Sequence, residues 1–254
     1  MANKVLSTQQ ALRYNRQISL HDFDIDKQEL LFNAHTLIVG LGGLGCAAAQ
    51  YLVAGGLGKI TLVDNDRVET SNLQRQILHS DTTVGQQKVA SAKTALERLN
   101  SEVELIAAAE KLTQDNVNHL INDADIVLDC SDNLHTRNIL NRACYEHSIP
   151  LVSGAAIRME GQVFCVLPSE KSSCYACLSR LFGEQSLSCA EAGVLSPLVG
   201  VVGAMQAVEA IKIIANHGNA PINMLQMYDA LTSNWSRFQI TKFEQCSVCG
   251  SSNT

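Results

Sequence analysis

The chain has 254 residues, 46% hydrophobic and 17% charged, enough for one large α/β domain or a domain with an appendage. A formal net charge of −6 without a run of Lys or Arg argues against a nucleic-acid partner. Nine cysteines follow an amino terminus with no signal-like segment, which points to thiols and metal in a reducing cytosol rather than a disulfide framework.

Ser7-Thr-Gln-Gln10 reads as a capping box opening a short helix through Leu12 and Tyr14. Arg13 and Arg16 lie three apart on it, and a solvated face is the ordinary reading for such a pair. A second short helix is predicted from Asp26 to Asn33. Thr36-Leu-Ile-Val39 then reads as a strand buried on both faces. Glycines follow at 40, 42, 43 and 45, and a helix of small and apolar residues begins near Cys46. Strand, glycine turn and helix N-terminus make an anion site, because glycines admit a phosphate to the backbone and the free N–H groups attract its charge. The next strand, Lys59 to Asp64, ends in a carboxylate about 20 residues on, where a ribose hydroxyl is accepted. Taken alone, this stretch suits a nicotinamide, flavin or adenine nucleotide.

Thr70-Ser-Asn-Leu-Gln-Arg75-Gln76 is polar and carries no strand or helix period, so it reads as a loop at a strand's carboxyl end, where open α/β sheets bind ligands. Arg75 there is a candidate clamp for developing phosphate charge. Residues 85–100 read as a helix with Val89, Ala92, Ala95, Leu96 and Leu99 on one face. Lys88 falls in its first turn, against the helix dipole, and calls for a negative partner such as phosphate; otherwise it is a surface lysine.

A strand from Glu102 to Ala109, a helix from Gln114 to Ile121, a buried strand from Ala124 to Cys130, a helix from Asn133 to His147 and a strand from Pro150 to Gly154 follow. This alternation predicts right-handed crossovers and a mainly parallel sheet. Asp132 falls at the carboxyl end of a central strand, on the edge that carries the glycine turn. A hard carboxylate there suits Mg²⁺ shared with phosphates, and a helix cap is the alternative.

From Gly161 the pattern changes. Gln162 to Leu167, Met224 to Asp229 and Trp235 to Ile240 read as strands without crossover helices, an antiparallel extension of the sheet. The longest apolar stretch, Ala192 to Val208, is interrupted by Ser196, Pro197 and Gln206, is short of a membrane span and reads as buried helix, and Pro197 to Ala215 reads as a helix whose small residues permit close packing. Glu170 to Val194 is a long polar excursion.

Cys174-Tyr-Ala-Cys177 and Cys246-Ser-Val-Cys249 are two C-x₂-C knuckles, together a closed tetrahedral zinc site that staples the carboxyl tail to the excursion. Two dithiol redox pairs are the competing reading, disfavoured because neither pair is expected to open a helix after a strand. Packing accounts for Cys46, Cys130, Cys144 and Cys165, whereas Cys189 in the polar excursion is either a nucleophile or an incidental surface thiol.

Gly40-Leu-Gly-Gly-Leu-Gly45, Asp64-Asn-Asp66, Ser71-Asn-Leu-Gln-Arg75, Gly85-Gln-Gln-Lys88, Asp129-Cys-Ser-Asp-Asn133 and the paired knuckles, in this order, resemble the E1-like family that activates ubiquitin-like proteins. Arg13-Tyr-Asn-Arg-Gln17, residues 153–161 and residues 177–183 extend the resemblance over nearly the whole chain. It is strongest to the branch serving molybdopterin synthase. The resemblance implies a Rossmann-like α/β domain with a helical arm (1–33), a nucleotide-binding part (34–160) and an extension with zinc knuckles (161–254). It implies a cytoplasmic homodimer that binds ATP and Mg²⁺ and adenylylates the terminal glycine of a ubiquitin-like sulfur carrier ending in Gly-Gly. A persulfide protein would then deliver sulfur, with neither nucleic acid nor membrane involved. The same chemistry on the sulfur carrier of thiamine-thiazole synthesis is the alternative; a nicotinamide-dependent dehydrogenase or a catalytically silent scaffold is a rival from another class.

The nucleotide site implied is Gly43, Asp64, the run Ser71, Asn72, Leu73, Gln74 and Arg75, then Lys88, Asp132 and Asn133. Asp64 would meet the ribose, Asn72, Arg75 and Lys88 the phosphates, and Asp132 the magnesium. Arg16 would join Arg75, Lys88 and Asp132 as a catalytic residue by reaching the γ-phosphate in the neighbouring subunit. Cys189 matches the thioester cysteine of ubiquitin-activating relatives and stays outside the adenylation core.

Overall fold

The computed structural model describes residues 4–182 and 192–250. They are organised by one eight-stranded sheet with strand order β3-β2-β1-β4-β5-β6-β7-β8. The strands are β1 His35–Val39, β2 Lys59–Val63, β3 Glu104–Ala108, β4 Ile126–Asp129, β5 Leu151–Ile157, β6 Glu160–Val166, β7 Met224–Asp229 and β8 Asn234–Gln239. The first five are parallel, and β6 to β8 continue from β5 as an antiparallel ribbon. From β1 the chain winds outward to β2 and β3, then returns to β4 and β5 on β1's other side. The crevice between the ends of β1 and β4 is therefore the switch point at which such sheets bind ligands.

The helices among the described residues are α1 Thr8–Arg13, α2 Asn15–Ile18, α3 Asp24–Asn33, α4 Gly43–Ala54, α5 Lys88–Leu99, α6 Val117–Ile121, α7 Leu134–Glu146, α8 Tyr175–Ser179 and α9 Ser196–Ile214. Alternate residues of β1 feed two cores: Ile38 packs with residues of α4, α5 and α9, while Leu37 and Val39 pack with residues of α6, α7 and α8. Both faces of the parallel strands are covered, which is why they read as continuous apolar runs.

Three departures from the sequence expectation matter. The capping box at Ser7 forms, but the helix stops at Arg13, so Arg16 stands on a separate turn, α2. α9 matches the helix expected from Pro197 to Ala215, but where the apolar stretch reads in the sequence as short of a membrane span, its 19 residues are by length and composition apolar enough to cross a bilayer. Here it lies against α4 instead, so closely that a Cβ at Gly203 would collide with the Leu44 carbonyl. Finally, the excursion after residue 170 contains α8, whose N-cap is Cys174. The first cysteine pair does open a helix, and the expected argument against a redox pair fails. Cys189 lies outside the described residues.

Candidate nucleotide site and cysteine cluster

The glycine turn is held from two sides. Gly40 has φ +93°, and a Cβ there would stand 2.7 Å from the Cys130 carbonyl oxygen, so glycine alone fits between the ends of β1 and β4. The Leu41 N–H donates to Asp64 Oδ2 at 2.7 Å, and the Asp66 N–H donates to Asp64 Oδ1 at 2.8 Å. Asp64 thus ties the turn to the end of β2. From beneath, His79 Nε2 lies 3.2 Å and the Cys46 thiol 3.4 Å from the Leu41 carbonyl oxygen. Burial pulls the His79 pKa below its ordinary value, and a neutral ring donating from Nε2 leaves Nδ1 to accept from Ser91 Oγ at 2.9 Å. Burial pushes the Cys46 thiol up to about 12, so it stays protonated.

Lys88 is the first residue of α5 and is only 6% exposed. Its Nζ donates to Asp66 Oδ2 at 2.9 Å, and its own N–H donates to the Asp66 carbonyl at the same distance. The negative partner that its position demands is present in the protein itself. Arg75 is half-buried, with Nη1 donating to the Ser71 carbonyl at 3.2 Å.

Asn133, not Asp132, caps α7, accepting from the Thr136 N–H at 2.9 Å. The Asp132 carboxylate is exposed, and its only hydrogen bond among the described residues comes from Asn133 Nδ2 at 3.5 Å. The helix-cap alternative for Asp132 does not hold.

These groups surround a cavity of about 580 Å³ at the switch point. Of the residues singled out from the sequence, Gly43, Asp64, Arg75, Lys88, Asp132 and Asn133 line it. Ser71, Asn72, Leu73 and Gln74 are not among its lining residues. Asn72 is buried and accepts from the Glu69 N–H at 3.1 Å, and the Gln74 carbonyl accepts the Ser196 hydroxyl. Arg16 is exposed on α2, outside the lining.

Arg137 also lines the cavity and was absent from the sequence reading. It falls among the buried positions of α7, with Thr136, Leu140, Asn141 and Cys144. That helical spacing is the signal that marks it.

The four knuckle thiols converge. Their sulfurs all lie within 4.8 Å of one another, with Cys174 Sγ to Cys246 Sγ at 3.7 Å and Cys177 Sγ to Cys249 Sγ at 3.4 Å. No disulfide has that spacing, whereas tetrahedral zinc with four sulfur ligands sets its sulfurs about 3.8 Å apart. Burial works to raise the Cys246 thiol, but hydrogen bonds from the Cys249 and Val248 backbone outweigh it and bring it down to about 7. Asn141 of α7 donates from Nδ2 to Cys174 Sγ at 3.5 Å and accepts the Tyr175 N–H at 2.8 Å. The cluster is compatible with zinc.

The ThiF family matches residues 14–248. The chain belongs to this family. Among ThiF-family relatives, the molybdopterin-synthase adenylyltransferase of Salmonella typhimurium is 52% identical over 245 residues, covering 96% of this chain and 98% of that protein. The Sulfur carrier protein ThiS adenylyltransferase of Escherichia coli is 39% identical over 242 residues, covering 95% and 96%. Among solved structures, E. coli MccB with ATP superposes with a TM-score of 0.83 at 25% identity, covering 94% of this chain and 73% of that one.

Proposed function

We propose that this ThiF-family chain adenylylates the terminal glycine carboxylate of a ubiquitin-like sulfur carrier, the small subunit of molybdopterin synthase. One observation carries the reading. Arg75, Lys88 and Asp132 line a single cavity with the glycine turn, in a chain 52% identical to an enzyme of that name. The carrier of thiamine synthesis is the second reading, and 39% identity to its adenylyltransferase supports it less.

A carboxylate is a poor acyl donor because oxide is a very poor leaving group. One carboxylate oxygen attacks the α-phosphorus of ATP, a P–O bond forms, and the α–β bridging bond breaks so that pyrophosphate leaves with the electron pair. The product is an acyl-adenylate open to sulfur attack. No protein nucleophile is needed, only positioning of two anions and neutralisation of charge on phosphorus and leaving group. The glycine turn and the start of α4 offer backbone N–H groups to phosphate. Lys88 and Arg75 face the triphosphate, with Lys88 held ready by Asp66. Asp64 accepts the ribose hydroxyl, Asn133 frames the nucleotide, and Ser71, Asn72, Leu73 and Gln74 form the turn that carries Arg75 to the cavity edge. The nearly unengaged Asp132 carboxylate fits a hard divalent cation, and bound Mg²⁺ would neutralise the departing pyrophosphate.

In this reading the enzyme is a cytoplasmic homodimer, and Arg16, exposed on α2, serves the neighbouring subunit's ATP. Cys174, Cys177, Cys246 and Cys249 hold structural zinc, and a persulfide protein supplies sulfur to the adenylate. Incubation with ATP and each purified carrier, followed by mass measurement, tests the reading: the molybdopterin-synthase carrier gains the mass of an adenylyl group, AMP less water. Adenylation of the thiamine carrier alone overturns it.

A further inference from the structure

Under the Asp132 loop lies a charge that the reaction scheme does not use. Asp129, at the end of β4, is fully buried. Its Oδ1 accepts from the Ser131 N–H at 3.1 Å and the Ser131 hydroxyl at 2.6 Å, and its Oδ2 accepts the Ser153 hydroxyl at 2.8 Å. Arg137, 7% exposed, lies on the other side of Ser153, donating from Nη1 to Ser153 Oγ at 3.4 Å. Its Nη2 donates to the Ser131 carbonyl at 2.6 Å and to the Gly154 carbonyl at 2.9 Å. One planar guanidinium thus joins the residue before Asp132 to the middle of β5. Gln206 of α9 also braces these strands, but through the Asp129 and Val152 carbonyls at 2.8 and 3.1 Å, short of the loop itself.

We propose that Arg137 is a positioning residue for adenylation: by clamping the Ser131 and Gly154 carbonyls, it sets the direction in which Asp132 presents its carboxylate to the cation of the bound nucleotide. The inference rests on the role given to Asp132 above. The fork matters as much as the charge, because two carbonyls and a hydroxyl are engaged by one rigid plane that an ammonium cannot reproduce. Removing a partner that orients a metal-binding group typically costs ten- to a hundredfold in affinity, about the size expected here.

The test measures binding of an ATP analogue with a methylene bridge between the α and β phosphates, by calorimetry with and without Mg²⁺, alongside thermal unfolding. In the native protein Mg²⁺ tightens binding, and in Asp132→Asn that gain disappears. Arg137→Lys keeps a cation opposite Asp129, so its midpoint falls less than that of Arg137→Met, yet it loses on the order of tenfold of the gain. Arg137→Met combined with Asp129→Asn removes both buried charges; stability recovers relative to Arg137→Met alone, and the gain stays lost. If the double variant regains stability and magnesium gain together, Arg137 only neutralises Asp129 and the proposal falls. If Asp132→Asn abolishes the gain but Arg137→Lys leaves it whole, the proposal alone fails. If Asp132→Asn leaves it whole, the Asp132 assignment itself fails, and this inference with it.

Discussion

Lys88 and Arg75 are both cations of the cavity wall, and their surroundings predict different consequences of losing them. Asp132 is exposed and Arg75 half-buried, and each makes one weak or long side-chain hydrogen bond, so truncating either changes folding stability by no more than about 1 kcal/mol. Arg75→Ala or Asp132→Ala should abolish ATP–pyrophosphate exchange while the thermal midpoint holds. Lys88 is buried against Asp66, so Lys88→Ala should lose exchange and lower the midpoint together. His79 adds a pH signature beneath the turn. Its native pKa is lowered by burial, while the unfolded chain titrates near 6.5. As pH falls through that unfolded value, the unfolded state takes up a proton that the native state resists, and stability is lost. His79→Gln, which keeps a donor for the Leu41 carbonyl, should flatten this acid slope in urea midpoints taken between about pH 7.5 and about pH 5.5.

At the scale of elements, the apposition of α4 and α9 fixes the pocket floor. The Gly203 backbone of α9 abuts the Leu44 carbonyl, and a Cβ at Gly43 would run into the Val199 side chain. Gly203→Ala must push the two helices apart, because the obstacle is backbone and cannot swing away. The expected cost is about 1–3 kcal/mol by equilibrium urea unfolding, with weakened nucleotide binding because α4 carries the glycine turn. The strands and crossover helices of the parallel half were legible in the sequence, since each is a run long enough to display its period. α8 was not. Five residues give less than two turns, and its start at Cys174 depends on Asn141 accepting the Tyr175 N–H from across the fold.

Over the whole molecule, the carboxyl tail and the segment near residue 175 are joined at the thiols, with Lys242 Nζ donating to the Glu170 carbonyl at 2.7 Å and Arg180 lying over the Phe243 ring beside them. Cys174→Ala should drop bound zinc, measured by elemental analysis, and lower the thermal midpoint, because metal affinity at such a site is folding free energy. Asn141 links the same cluster to α7, which also carries Arg137, so chelation is expected to loosen the cavity wall. The shared site has a direct test. Mixed Arg16→Ala and Asp132→Ala subunits form one cavity with both groups intact, so exchange should return on mixing two inactive proteins; continued inactivity counts against Arg16 acting across the dimer.

The sequence by itself determined the parallel half of the sheet, the glycine turn with Asp64, the placing of Arg75 and Asp132 at strand ends and of Lys88 at a helix start, and the pairing of the knuckles. All of these are written in short windows, as an apolar period, a glycine where φ must be positive, or a fixed ligand spacing. Only the tertiary structure decided that Lys88 is buried against Asp66, that Asn133 takes the cap and releases Asp132, and that Arg137 spans two strand ends. It also decided that four thiols 72 residues apart in pairs reach one point. Those outcomes depend on burial and on hydrogen bonds between segments distant in the chain, and no local pattern carries that information.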